Sequence, residues 1–149
     1  MSQYTIKIAS LQDCLTVHNH TPEMLGDATL AMYQERIGDN PYLALVAAYL
    51  DQPVAFKLGY AKSTDTFYSW LGGVLPNHRG HGLAKKLLHK QELWAVDNGF
   101  KCIEVKSMLR FEAMLTMLRT QGYTQTTADD GITEQSKIHF IKHFSRLPK

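Results

Sequence analysis

The chain has 149 residues, 44% of them hydrophobic and 20% charged. This is the make-up of one globular domain spanning the whole length, 1–149, and it excludes a disordered or fibrous protein. The formal charge of +2 is too small to point to nucleic acid. No apolar run approaches the ~18 residues a membrane span needs, and no basic leader precedes one, so the expected location is the cytoplasm.

Gln3 to Ala9 alternates apolar and polar residues, as a half-buried first strand does. From Leu11 to Asp39 the pattern turns helical, with Thr21 before Pro22 offering an N-cap and first-turn proline. Two short helices broken near His20 are expected. Cys14, in the first of them, is far from Cys102 and without CxxC spacing, so both read as buried reduced thiols. Tyr42 to Leu50 is a dense apolar run, and Asp51-Gln52-Pro53 turns it into a second strand-like stretch, Val54 to Lys62. After Ser63-Thr64-Asp65, a fourth strand over Thr66 to Val74 carries Gly72 and Gly73, which in a strand mark a bulge or the close approach of a ligand.

The next helix aligns Ala84, Leu87, Leu88, Gln91, Trp94 and Ala95 on one stripe and stops at Asn98-Gly99. Lys101 to Ser107 alternates as a fifth strand. A helix with Phe111, Met114, Leu115 and Leu118 on its core face follows and ends at Gly122. Tyr123 to Thr127 and Ser136 to Phe144 form a closing antiparallel pair across the polar Ala128-Asp129-Asp130-Gly131 turn. The order βααβββαβαββ implies an α+β sandwich. A crossover helix makes strands four and five parallel, and the hairpins around them make the rest of the mixed sheet antiparallel.

One stretch carries chemistry. In PNHRGHGLAKKLL, residues 76–88, two glycines open a helix, although glycine inside a helix costs roughly 1 kcal/mol against alanine. The first turn of a helix offers unpaired N–H groups and the positive end of its dipole. Bare backbone at Gly80 and Gly82, with Arg79, His81, Lys85 and Lys86 around it, is suited to a phosphate or pyrophosphate. A Walker loop would need Gly-Lys-Ser/Thr, and a dinucleotide fingerprint would need GxGxxG after the first strand; neither is present.

The arrangement resembles the acetyl-CoA signature of the GNAT N-acetyltransferases: Arg or Gln, two residues, Gly, one residue, then Gly or Ala. Arg79, Gly82 and Ala84 fill it, and Gly122-Tyr123 matches a pair common in that family after the next helix. The resemblance implies a GNAT fold in which parallel strands four and five splay and acetyl-CoA lies between them, with helices on both faces of the sheet. It implies pantetheine contacts at Leu71, Gly72 and Val74, and a pyrophosphate on the amides of Arg79, Gly80, His81, Gly82, Leu83, Ala84 and Lys85. The implied reaction is direct acetyl transfer to a primary amine of a small molecule or peptide. Apart from the resemblance, His18-Asn19-His20 and the His139/His143 pair lack a matching carboxylate or cysteine spacing. The positive residues concentrate at one phosphate-sized site, and no apolar run is long enough to span a membrane, so no metal, nucleic acid or membrane is expected. Homodimers are common in the family.

Two positions depart from the family. Its usual tyrosine near the end of the helix after strand five, which protonates the leaving thiolate, is replaced by Leu118. Its asparagine at the start of that helix is replaced by Arg110-Phe111. Ser107, Tyr68 and Glu104 are the candidate catalytic groups, with Tyr123 beside them. A CoA-binding or regulatory module without efficient transfer stays open as the alternative.

Overall fold

The structure, a computed structural model, describes residues 3–24, 27–108, 110–128 and 137–144. Seven strands, β1 (Tyr4–Ile8), β2 (Tyr42–Tyr49), β3 (Gln52–Ala61), β4 (Thr66–Val74), β5 (Cys102–Met108), β6 (Thr124–Ala128) and β7 (Lys137–His143), form one sheet in the order β1-β2-β3-β4-β5-β7-β6. All neighbours run antiparallel except β4 and β5. The four helices are α1 (Leu11–His18), α2 (Leu30–Ile37), α3 (Leu83–Asp97) and α4 (Glu112–Thr120). Of the Ala128-Asp129-Asp130-Gly131 turn, Ala128 ends β6 and the other three lie outside the described residues.

The helices divide between the two faces. Cys14, Leu15 and Val17 of α1 and Tyr33 and Ile37 of α2 pack on Ala44, Val46, Phe56 and Leu58. Leu83, Leu87, Leu88 and Ala95 of α3 and Leu115 and Leu118 of α4 cover Leu43, Leu45, Ala55, Phe67, Ile103 and Val105 on the opposite face. β2 therefore buries side chains on both sides, which is why YLALVAAY reads as a continuous apolar run instead of an alternation. Both cysteines are free and buried; burial pushes the Cys14 thiol up to about 12, with Asp13 adding to it.

Three local expectations are corrected. Thr21 is not an N-cap: its hydroxyl donates to the Val17 carbonyl at the end of α1, while Ser10, in a reciprocal capping box with Asp13, starts α1 and Thr29 starts α2. The β2–β3 turn is Leu50-Asp51, both with positive φ, so Gln52 and Pro53 already belong to β3. The irregularity in β4 falls at Trp70, because Leu58 pairs with Leu71 and Gly59 with Ser69, whereas Gly72 and Gly73 pair in plain register with Lys57 and Phe56. Trp70 packs against the Tyr33 and Tyr60 rings, so aromatic packing accompanies this bulge, not glycine freedom.

Candidate active site

The parallel contact between β4 and β5 lasts four rungs, from Thr66–Cys102 to Ser69–Val105. Beyond it β4 continues through Trp70 to Val74 paired only with β3, and β5 continues through Lys106 to Met108 paired only with β7. The strands have parted, leaving main-chain groups on the inner edge of Leu71, Gly72, Gly73 and Val74 free of a neighbouring strand. A Cβ at Gly73 would stand 3.2 Å from Thr21 Oγ1, so this glycine lets the end of α1 approach the strand.

After β4 a short 3-10 turn, Pro76–His78, leads to Arg79 and the glycines. Gly80 has φ +85° and Gly82 +73°, both in the left-handed region, and a Cβ at either would meet nothing within 4 Å. The glycines are thus required by conformation and leave open space in front of the helix. Gly82 is the N-cap of α3 and supplies no side-chain cap; the first helical bond runs from the Lys86 amide to the Gly82 carbonyl. Among the described residues, the amides of Gly80, His81 and Gly82 donate to no protein acceptor. Those of Leu83, Ala84 and Lys85 fall in the first turn, where a helix has none to offer. Six consecutive amides, from Gly80 to Lys85, are therefore without a protein acceptor among the described residues around the helix start, and the side chains of His81 and Lys85 are exposed there. The residues present fit a pyrophosphate.

Arg79 is committed differently from its neighbours. Its Nη1 and Nη2 donate to Glu23 at 2.8 and 2.6 Å, and its Nε donates to the Val74 carbonyl at 3.0 Å. The side chain joins the end of β4 to the segment after α1, and its hydrogen bonds hold the Glu23 carboxyl below the usual carboxylate range. Arg110, across the opening, adds its charge to the same acid, and its Nε is buried without a partner.

The candidate catalytic residues do not form one group. Tyr68 and Glu104 share a rung and the α1/α2 face. Glu104 is held by Lys62 at 2.8 Å, and Lys106 Nζ lies 5.6 Å from the centre of the Tyr68 ring, whose hydroxyl is pushed up by burial. Ser107, buried in register with Ile138, lies on the opposite face of β5 with Ile103 and Val105. Leu118 is 0% exposed in the core, and the Tyr123 hydroxyl donates to Glu92 at 2.6 Å, so neither is placed as a mobile acid. Sequence reasoning missed Lys57 altogether, and it weighed His18 only as a metal ligand, not as a buried partner of Tyr33. His18 Nδ1 is 2.8 Å from the Tyr33 hydroxyl and its ring stacks on Phe56.

Burial lowers the pKa of His18, so between that lowered value and the ordinary 6.5 the unfolded chain binds more protons than the folded one. Stability should rise with pH through this window, and on acidification fall through it and level off below, where both states carry the proton. Melting curves between pH 7.5 and 5 are expected to lose more for the native chain than for His18→Gln; equal slopes would remove His18 as the cause.

Residues 8–123 match the acetyltransferase (GNAT) family, and the chain belongs to that family. It is an acyl-CoA-dependent acetyltransferase by class. No curated protein matches it in sequence. Among solved structures it resembles the ribosomal-protein-S18-alanine N-acetyltransferase of Escherichia coli, with a TM-score of 0.82 and 13% identity over 98% of this chain and 97% of that one. Ard1 from Thermoplasma volcanium gives a TM-score of 0.82 at 13% identity, covering 97% and 100%. A GNAT family acetyltransferase from Elizabethkingia anophelis with acetyl-CoA bound gives 0.74 at 14%, covering 97% and 100%.

Proposed function

We propose that this chain moves an acetyl group from acetyl-CoA directly to a primary amine of a small molecule or peptide. The observation that carries the reading is the parting of β4 from β5 beside an uncapped, glycine-opened helix start. In it, the amides from Gly80 to Lys85 hold the pyrophosphate, and the free edge of Leu71, Gly72 and Val74 runs beside the pantetheine arm. Arg79 acts as the strut between these two parts.

An alkyl amine with a pKa near 10.4 is only about one part in a thousand neutral at physiological pH, so transfer needs a proton acceptor. Such a group contributes roughly 10²–10⁴ in rate. Tyr68 and Glu104 lie on the α1/α2 face, where an acceptor would meet them; Glu104 must first part from Lys62. Ser107 serves from the other face, where it can hold a water.

A second reading, a CoA-binding or regulatory module, is favoured by the burial of Leu118 where the family places its acid. One measurement decides between them: thiol release from acetyl-CoA against amines, aminoglycosides, polyamines and peptide N-termini. Thiol formed in step with an acetylated amine supports transfer. CoA binding with no thiol above hydrolysis supports the module.

A further inference from the structure

The face of the sheet under α3 carries buried polar groups among its apolar side chains. Lys57 is 6% exposed, Ser69 2% and Gln91 0%. Among the described residues Lys57 makes no hydrogen bond or ion pair, and Ser69 Oγ and both amide atoms of Gln91 have no partner. Folded proteins pair nearly all such groups, and a buried ammonium without a counter-charge is the costliest kind to leave alone.

Ser69 and Gln91 meet at Gly59, two residues along β3 from Lys57. Gly59 and Ser69 face each other across β3 and β4, and a Cβ at Gly59 would come within 2.9 Å of Gln91 Nε2. Lys57 pairs with Gly72; because Gly72 has no side chain, the lysine lies across it, with Nζ 3.4 Å from where a Cβ would stand. The ammonium is thereby carried one strand closer to the opening between β4 and β5. Burial lowers its pKa to about 8, against a weaker pull from Glu92. That acid is engaged elsewhere, by the Tyr123 hydroxyl at 2.6 Å and by Lys142 at 3.3 Å.

Position along β4 indicates what would arrive there. With a pyrophosphate at the start of α3 and the arm running back along the strand, the far end of the thioester falls near Ser69. With the bulge at Trp70 that is four rungs from Val74, about 13 Å at a strand rise of about 3.3 Å per residue. We propose that Lys57, Ser69 and Gln91 form a cationic end-pocket for an acyl group that carries a distal carboxylate, so that, besides acetyl-CoA, a dicarboxylic acid monothioester of CoA is accepted and is preferred to a plain alkanoyl one of equal chain length. This rests on the reading of the CoA site given above. The ammonium, the hydroxyl and the amide N–H supply three donors to the carboxylate, and the lysine gains its missing counter-charge. The transfer chemistry is unchanged. The acceptor nitrogen forms a C–N bond to the thioester carbon and the C–S bond breaks. The sulfur leaves as thiolate and recovers the proton the amine releases, while the distal carboxylate keeps its charge.

Calorimetry of the full chain with CoA, butyryl-CoA and succinyl-CoA tests this, since the last two differ by the carboxylate at equal chain length. Succinyl-CoA is expected to bind at least tenfold more tightly than butyryl-CoA, with the ratio falling below threefold in Lys57→Met. Gln91→Leu, which keeps the lysine, is expected to lower the ratio at least threefold and stands in if Lys57→Met does not fold. If CoA and butyryl-CoA bind but succinyl-CoA binds no more tightly, or if the ratio survives in both variants, the pocket assignment falls alone. If CoA itself does not bind, the reading of the site falls and takes the pocket with it.

Discussion

Gly82→Glu is expected to weaken CoA binding by about a hundredfold or more, equivalent to about 2.7 kcal/mol. Two costs combine. The residue holds φ +73°, where an L side chain pays about 1–2 kcal/mol. The new carboxylate also stands among the unpaired amides that otherwise meet phosphate, with like charge against like. Since nothing lies within 4 Å of the Cβ position, the fold loses only the backbone strain, about 2–8 °C in melting temperature for a domain of this size. Gly82→Ala pays the strain without the charge and should fall between the two in affinity. Calorimetry against CoA checks both; unchanged affinity in Gly82→Glu would mean that this turn is not the pyrophosphate site.

The largest effect on stability is expected one strand away from that site. A Cβ at Gly59 would stand 2.5 Å from Phe67 Cε2, 2.6 Å from the Tyr68 carbonyl oxygen and 2.9 Å from Gln91 Nε2. The carbonyl belongs to the paired strand β4 and cannot swing aside as a side-chain end can. Gly59→Ala should therefore cost about 3 kcal/mol, the upper range for overpacking, and lower the melting temperature by about 6–12 °C. Gly73→Ala is the comparison: its nearest contacts are 3.2–3.4 Å, two of them on the Thr21 side chain, so a smaller loss is expected. Thermal melts with equal shifts for the two variants would show that β3 and β4 can separate more easily than their register suggests.

How much was legible in the chain depended on whether the cause was local. The element order, the parallel pair and the helix opening at Gly80 and Gly82 follow from periodicity and glycine placement, and the structure keeps them. The Thr21 assignment failed because a threonine before a proline looks the same whether it begins a helix or closes one. Only the Val17 carbonyl, four residues back, decides it. The displaced bulge has a similar origin, since Trp70 is set by the Tyr33 and Tyr60 rings from other elements. In the candidate site, the Arg79–Glu23 pair spans 56 residues and left no mark in either segment. Lys57 looked like the polar half of an alternating strand; its burial depends on the register that sets it opposite Gly72. Gln91, by contrast, sat openly on the apolar stripe of its helix, a polar residue at a core position, and that was the available signal.

The four-rung junction has a further consequence. Among the described residues, the ladder that joins β1 to β4 with the remaining strands runs from Thr66 to Ser69, extended by the Asp65 carbonyl, which accepts from the Lys101 and Cys102 amides. α3 bridges that seam, contacting β2, β3 and β4 on one side and β5 on the other. The helix is thus the crossbar between two sub-sheets, and its first turn is where the anion would sit. Any ligand that prefers the folded chain raises its stability by RT ln(1 + L/Kd), where L is the free ligand concentration. Here the ligand would also tighten the end of the crossbar, so donor binding and the cohesion of the two halves become a single thermodynamic quantity.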